Sequence, residues 1–295
     1  MKKIKKVIIY SHEKYFTNSS IKKIISHLKK NNIKLTLISQ HSEYARIEST
    51  NEIINNCNSF TKSNIDSDLI IVFGGDGLFL TASKIAINLG IPILGINYGK
   101  IGFLVDIDKK QALKQVSAII NGDYIIDKRM MLDAKIQNQQ NKTSKSLSLN
   151  DIVIHNYGQL KMIKMKIYVN NYLINVQRSD GIIIATPTGS TAYSMSNGCP
   201  IVSPDSNVIC CTPVSPHTYS HRPIIVNEKD KIKIEVDKLS VNHTMTTVDG
   251  SNNNNFEKSK LVEIVKSKSK LKILHPLEYN YFQILNKKLK WGGRS

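Results

Sequence analysis

The chain has 295 residues, 41% of them hydrophobic, which is enough apolar material for one large core or two moderate ones without disulfides or a structural metal. Its formal net charge is +18, but only 5 of its 41 basic residues are Arg, and the Lys residues are dispersed along the chain. A dispersed, Lys-rich charge is typical of a solvated surface, so we expect no nucleic-acid partner.

Neither a membrane span nor a secretion signal is predicted. The apolar stretch at residues 7–10 is too short for a signal peptide, and no apolar run approaches the roughly 18 residues of a spanning helix. Cys57, Cys199, Cys210 and Cys211 include no pair at the two-residue spacing of a zinc or redox motif. We therefore expect a cytoplasmic chain with reduced thiols and no membrane partner.

Residues 1–126 are predicted to form a doubly wound α/β domain. The run at residues 69–73 is apolar without alternation, which is typical of a parallel strand buried on both faces. Ser20 is the predicted cap of a helix that begins with Ile21. The other predicted elements are strands at residues 7–10, 33–38 and 91–94 and a helix at residues 78–89.

Beyond residue 126 the pattern changes to short β-rich segments, which predicts a mainly β domain over residues 127–270. The C-terminal segment, residues 271–295, is expected to return to the first domain. Two polar runs, residues 138–145 and 251–255, are predicted loops. The predicted strands are residues 132–136, 151–154, 162–169, 173–176, 181–185 and 232–236.

A glycine turn at residues 74–77 lies where a buried strand ends and a helix begins. Its glycines let backbone N–H groups approach a ligand closely, and the helix adds its positive end, which favours phosphate. Asp76 in this turn is suited to bind a metal-bound nucleotide or to accept a proton from an attacking hydroxyl. The alternative is a tight structural turn in which Asp76 only caps the helix.

Two further loops follow predicted strands. The glycine cluster at residues 95–104 does not have the glycine spacing of the dinucleotide fingerprint. Two roles are open for it: it contacts a ligand, or it supports the first turn. Residues 186–194 are crowded with hydroxyl side chains, which indicates a ligand-binding loop or a polar connection. A serine nucleophile is disfavoured, because the glycine expected two residues after Ser190 is missing.

In order and spacing, these motifs resemble the NAD kinase family from about residue 68 to the C-terminus. The resemblance implies a diacylglycerol-kinase/NAD-kinase-like fold and an enzyme that transfers the γ-phosphate of ATP to the adenosine ribose 2′-hydroxyl of NAD, giving NADP and ADP. It also implies a homodimer or homotetramer. The segments that carry it are residues 74–77, 95–104, 150–151, 177–181, 186–193 and 275–291.

The same resemblance assigns roles to individual residues. Asp76 corresponds to the catalytic aspartate and contacts NAD, and Gly74, Gly75 and Gly77 correspond to the phosphate and ATP site. His217 and Asp249 correspond to residues bordering the cleft, although a packed or capping role is an equal alternative for His217. The remaining NAD contacts implied are Gly77, Asn150, Asp151, Lys161, Arg178, Asp180, Thr191, Ala192, Tyr193, Ser194, Met195 and Ser196.

Three residues depart from the family pattern: Asp151 replaces a Glu, Leu78 replaces a small polar residue, and Ser251 replaces a frequent Gln. No cluster of His, Cys and carboxylates indicates a metal cage built by side chains, so the expected cofactor is Mg²⁺ bound with ATP.

Three other functions stay open. A lipid kinase acting on diacylglycerol or a sphingoid base shares the glycine turn, but it should show a membrane-surface helix, for which there is no clear pattern. A non-catalytic dinucleotide sensor is disfavoured by the presence of Asp76. A nucleic-acid protein would bind with a steep salt dependence.

Overall fold

The structure, a computed structural model, describes residues 3–39, 44–47, 52–55, 65–99, 102–158, 161–218, 220–251 and 256–291. The chain divides into two compact units. The first comprises residues 1–128 and 271–295, and the second comprises residues 129–270. Cys57 and most of the predicted loop at residues 251–255 lie outside the described residues, whereas Cys199, Cys210 and Cys211 are free, buried thiols.

The elements, in chain order, are as follows. The strands are β1 (Lys6–Ser11), β2 (Lys34–Ser39), β3 (Tyr44–Ile47), β4 (Glu52–Asn55), β5 (Leu69–Gly74), β6 (Ile93–Asn97), β7 (Ile107–Asp108), β8 (Ile125–Asn138), β9 (Thr143–Ser148), β10 (Asp151–Asn156), β11 (Ile163–Val169), β12 (Tyr172–Ser179), β13 (Gly181–Ala185), β14 (Val208–Val214), β15 (Ile224–Asn227), β16 (Ile232–Val236), β17 (Thr244–Val248) and β18 (Ser259–His275). The helices are α1 (Ser19–Lys30), α2 (Asp76–Leu89), α3 (Ala112–Asn121), α4 (Tyr193–Ser196) and α5 (Tyr281–Leu289).

The first unit contains a parallel sheet in the order β2, β1, β5, β6. Residue Ile273, near the end of β18, pairs in parallel with Ile93 on β6. On the other side β3 and β4 extend the sheet antiparallel to β2. All six residues of β5 are buried, as their unbroken apolar run predicts.

Helices cover both faces of this sheet. Ile21, Ile24 and Leu28 on α1 share a core with α3 and with alternate residues of β1 and β5. The opposite face meets α2, because a Cβ on Gly95 of β6 would lie 3.1 Å from Phe79 on that helix. The doubly wound arrangement predicted for this part of the chain is therefore observed.

The second unit is mainly β. One antiparallel sheet has the order β15, β14, β13, β10, β17. A second group runs β12, β11, β16 and the first part of β18, and β8 forms a hairpin with β9. Alternate residues of the two groups, among them Ile154, Ile182, Met165 and Ile234, form a single core.

Several element boundaries predicted from the sequence are wrong. The cap of α1 is Asn18, whose Oδ1 accepts from Ser20 N at 2.9 Å, so Ser20 is already helical. The predicted strand at residues 132–136 is only the centre of the longer β8, and the strand predicted at 91–94 begins at Ile93. In the part of the chain that the structure describes, no helix is both long and apolar enough to cross a membrane.

Candidate active site

The glycine turn joins β5 to α2 in the first unit. Gly75 caps the helix in an extended conformation (φ −108°, ψ −175°), and Asp76 is its first residue, beside the positive end of the helix dipole. A Cβ built on Gly75 or Gly77 would meet nothing within 4 Å, whereas one on Gly74 would lie 2.5 Å from Leu78 Cδ2. The backbone of Gly75 and Gly77 is thus open to a ligand, and Leu78 fills the space beside Gly74.

Three consecutive backbone amides hold the Asp76 carboxylate. Phe103 N donates to Oδ2 at 2.6 Å, and Leu104 N and Val105 N donate to Oδ1 at 3.1 and 3.2 Å. A Cβ on Gly102 would lie only 1.7 Å from Asp76 Oδ1. This loop can therefore approach the Asp76 carboxylate closely only because residue 102 is glycine. Three amide donors fix the orientation of this carboxylate.

The second glycine cluster therefore supports the first turn. Its backbone amides hold the Asp76 carboxylate. In addition, Tyr98 N donates to Gly74 O at 3.1 Å, and Asn97 Oδ1 accepts from Gly99 N at 2.8 Å. Of the two alternatives predicted for residues 95–104, the supporting role is observed. A direct ligand contact from this loop stays a prediction.

In the second unit, Asp249 organises the Asn150–Asp151 turn. Its carboxylate accepts from Ser148 Oγ at 2.6 Å and from the backbone N–H groups of Leu149, Asn150 and Asp151 at 3.0, 2.8 and 3.2 Å. Asp249 itself has a left-handed backbone, with φ 50°, which an Asp tolerates better than most residues. The side chain of Asp249 is thus committed to the shape of this turn.

The hydroxyl-rich loop is fastened to the same turn. Thr186 N donates to Asn150 O at 2.9 Å, and Thr186 Oγ1 donates to Leu149 O at 2.6 Å. A Cβ on Gly189 would lie 2.1 Å from Asn150 O, so the loop reaches the turn only through a glycine. The structure thereby brings together the Asn150–Asp151 pair, Asp249 and the start of the loop.

Asp151 is a buried acidic residue, with only 5% of its surface exposed. Burial raises the pKa of its carboxyl to about 7, and the negative charge of Asp249 adds to that increase. The ionised form of Asp151 is therefore disfavoured in the folded chain near neutral pH. A ligand donor reaching this carboxylate would offset part of that penalty.

This raised pKa predicts a pH-dependent stability. The folded chain binds more protons at Asp151 than the unfolded chain does between about pH 4 and pH 7, so stability falls as pH rises through that window. Asp151→Asn should remove this loss, and we expect the variant to gain about 2 to 4 kcal/mol over wild type at pH 8 but little at pH 4. Urea unfolding at several pH values measures the difference, with the exposed Asp133→Asn as control. If the unfolding free energies of Asp151→Asn and wild type changed with pH in parallel, this prediction would be wrong.

The residues from Thr188 onward form two short turns, a 3₁₀ turn at Thr188–Thr191 and α4. Thr191 and Ser194 are buried, Ala192 and Met195 are half-buried, and Tyr193 and Ser196 are exposed. Tyr193, with 47% of its surface exposed, is a large side chain available for stacking.

A second group of predicted site residues lies near the end of β12. Arg178 is exposed, and its carbonyl oxygen accepts from His217 N at 2.9 Å, which places the exposed His217 beside it. Asp180 Oδ1 accepts from Asn156 Nδ2 at 3.5 Å. Neither the Arg178–His217 pair nor the Asp180–Asn156 pair contacts the Asn150–Asp151 turn through a described hydrogen bond. Lys161 is exposed, with no described hydrogen bond or ion pair.

Two basic residues were missed by the sequence analysis. Arg129 is 2% exposed and donates from Nη1 to Thr188 Oγ1 at 3.2 Å. Lys288 on α5 has a buried amine close to the loop that holds Asp76. An isolated basic residue gives no periodic signal, so only the fold reveals these placements. Among the described residues, no group of three or more His, Cys, Asp or Glu side chains is arranged to hold a metal.

A family model described as the ATP-NAD kinase N-terminal domain matches residues 10–124, and one described as the ATP-NAD kinase C-terminal domain matches residues 149–276. The chain belongs to the NAD kinase family. The family membership predicted from the glycine turn and the hydroxyl-rich loop is therefore confirmed, as is the fold class.

Named relatives agree with this membership. An NAD kinase from Pseudomonas putida (strain W619) is 38% identical over 227 residues, 77% of each chain. An NAD kinase from Blochmanniella floridana is 42% identical over 229 residues, 78% of each chain. The crystal structure of yeast NADH kinase complexed with NADH has a TM-score of 0.84 at 23% identity, covering 100% of this chain and 90% of that one, which shows a shared fold.

Proposed function

We propose that this member of the NAD kinase family transfers the γ-phosphate of ATP to the 2′-hydroxyl of the adenosine ribose of NAD, with Asp76 as the proton acceptor. The observation that carries the proposal is the Asp76 carboxylate, fixed by three amides at the start of α2 between two glycines with open backbone. A fixed carboxylate beside a phosphate-binding helix end is what alignment of a hydroxyl with a triphosphate requires.

In the proposed reaction, a bond forms between the ribose O2′ and the γ-phosphorus while the bond from that phosphorus to the β,γ-bridging oxygen breaks. ADP leaves with the electron pair, and the hydroxyl proton passes to Asp76. A phosphoryl transition state is loose and needs mostly alignment and charge stabilisation. A carboxylate is a weak base for an alcohol, so we assign Asp76 a late proton transfer and, mainly, the orientation of the hydroxyl.

The second unit supplies the proposed dinucleotide contacts. The Asn150–Asp151 turn offers one amide and one carboxyl side chain, and Asp249 fixes its backbone. The segment Thr191–Ser196 adds a half-buried Met195 and an exposed Tyr193 as apolar surfaces for a base. Arg178, Asp180 and Lys161 are proposed contacts on the strength of the family resemblance alone. His217 stays a candidate residue at the border of the site, with a packed or capping role as the alternative.

Mg²⁺ enters this proposal as part of the substrate, Mg-ATP. We propose that phosphate oxygens hold this ion chiefly, as Mg²⁺ prefers when it is bound with a nucleotide. The ion would neutralise charge on the triphosphate during transfer. We further propose a cytoplasmic enzyme, because that compartment supplies both nucleotides, and a homodimer or homotetramer, as the family resemblance implies.

One assay tests the proposed function. Purified protein is incubated with Mg-ATP and NAD, and NADP is measured with a dehydrogenase that accepts only NADP. We expect NADP to form in proportion to time and enzyme, and diacylglycerol in place of NAD to remain unphosphorylated. Binding of NAD without any NADP would favour a dinucleotide sensor, and a labelled lipid would favour a lipid kinase.

A further inference from the structure

The amine of Lys288, on the C-terminal helix α5, is buried in the first unit. Its Nζ is shielded from solvent and has no hydrogen-bond partner among the described residues. It lies 4.1 Å from the centroid of the Phe103 ring, in cation–π contact. A buried ammonium is unfavourable unless it is paired, and a single aromatic ring supplies only part of the compensation.

Lys288 is linked to Asp76 through Phe103. The backbone N–H of Phe103 donates to Asp76 Oδ2 at 2.6 Å, while its ring contacts the ammonium. Burial lowers the pKa of the Lys288 amine to about 8, and the negative charges of Asp76 and Asp106 oppose that decrease. The amine therefore lies within the electrostatic reach of the carboxylate proposed to accept the proton.

The Asp76 oxygens already have amide donors, so the three N–H donors of Lys288 are not needed to hold this carboxylate. A triphosphate approaching α2 would bring several negative charges next to Asp76, which repels them. A cation at this position would offset that repulsion and offer hydrogen bonds to phosphate oxygens.

We propose that Lys288 is a further residue of the phosphoryl-transfer site, and that its ammonium, held by Phe103 beside Asp76, donates to the terminal phosphate of the nucleoside triphosphate. This inference rests on the function proposed above. It makes α5, at the very end of the described chain, part of the catalytic machinery.

Three variants test the role of the ammonium: Lys288→Met, Lys288→Arg and, as a matched control, Lys287→Met, which removes the neighbouring exposed lysine of the same helix. With ATP varied at saturating NAD, Lys288→Met should lower kcat/KM about 10- to 100-fold, the range for one hydrogen bond to a charged group. Lys288→Arg should recover most of that loss, and Lys287→Met should behave as wild type. Calorimetric binding of NAD alone should be unchanged in all three.

A pH profile separates this role from a structural one. The charged and titratable groups around the amine are Asp76 on α2 and Asp106, and Asp106 Oδ2 lies 2.9 Å from His275 Nδ1 on β18. The ammonium loses its proton as pH rises through about 8, so kcat/KM for ATP should fall above that pH in the wild type. Lys288→Arg stays charged, and its profile should remain level there.

Two results would overturn the inference: a Lys288→Met variant as active as Lys287→Met, or an alkaline fall in Lys288→Arg identical to that of the wild type. If Lys288→Met has a lower melting temperature than the wild type, the pH profile of kcat/KM for Lys288→Arg is the deciding measurement. Direct binding of Mg-ATP, expected to weaken about 10-fold in Lys288→Met and not in Lys287→Met, reports on Lys288 without turnover. Failure of the proposed function would appear differently, as a wild-type enzyme that forms no NADP.

Discussion

Replacing Asp76 by Asn is expected to lower kcat by about 10²–10⁴-fold, the contribution of a positioned proton acceptor, equivalent to roughly 3 to 5 kcal/mol of barrier. Asn has nearly the same size but no negative charge. It also keeps only one acceptor oxygen, so its NH₂ group must face an amide of the loop that holds the carboxylate. We therefore expect a modest loss of stability, about 1 to 3 kcal/mol, beside the large kinetic loss.

The measurement is steady-state kinetics with each substrate varied, together with urea unfolding of the same preparations. Asp123→Asn, an exposed aspartate of the same unit, is the control for a lost surface charge. A folded Asp76→Asn variant with near-normal kcat would show that another group accepts the proton.

Replacing Asp249 by Ala is expected to have the largest effect on stability. The variant loses the acceptor for four donors around the Asn150–Asp151 turn, and it places Ala at φ 50°, a left-handed backbone that Ala tolerates less well than Asp does. We expect about 3 to 6 kcal/mol of destabilisation and a higher KM for NAD, since the turn no longer has a fixed shape.

Asp249→Asn is the matched variant, because Asn tolerates a left-handed backbone and keeps one acceptor oxygen. Its loss should be intermediate in both unfolding free energy and NAD KM, with the ATP KM little changed. Equal stability of Asp249→Ala and wild type would mean that the four hydrogen bonds do not hold the turn in solution.

Much of the fold was predictable because its signal is local. The unbroken apolar run of β5 indicates a strand buried on both faces, and the glycines that follow indicate a turn into a helix. β13 was predicted with correct bounds for the same reason. The centre of β8 was recognised, but its full length was not, because exposed and buried residues mix irregularly near its ends.

The parts of the site that could not be predicted depend on distant partners. Asp76 is held by amides 27 to 29 residues away, and Asp249 holds amides about 100 residues away. Backbone donors leave no side-chain signal in a sequence. The available hints were Gly102 and Gly189, whose need for glycine becomes clear only when Asp76 Oδ1 and Asn150 O are found beside them.

The most direct test of the central claim is to follow the phosphate itself. The protein is given Mg-ATP whose γ-phosphate carries heavy oxygen, together with NAD. The isotope shift in phosphorus NMR then locates the labelled phosphate in the product. We expect label on the 2′-hydroxyl of the adenosine ribose, one ADP for each NADP formed, and almost none of this transfer with Asp76→Asn. Label at another position, label released only as inorganic phosphate, or undiminished transfer by Asp76→Asn would contradict it.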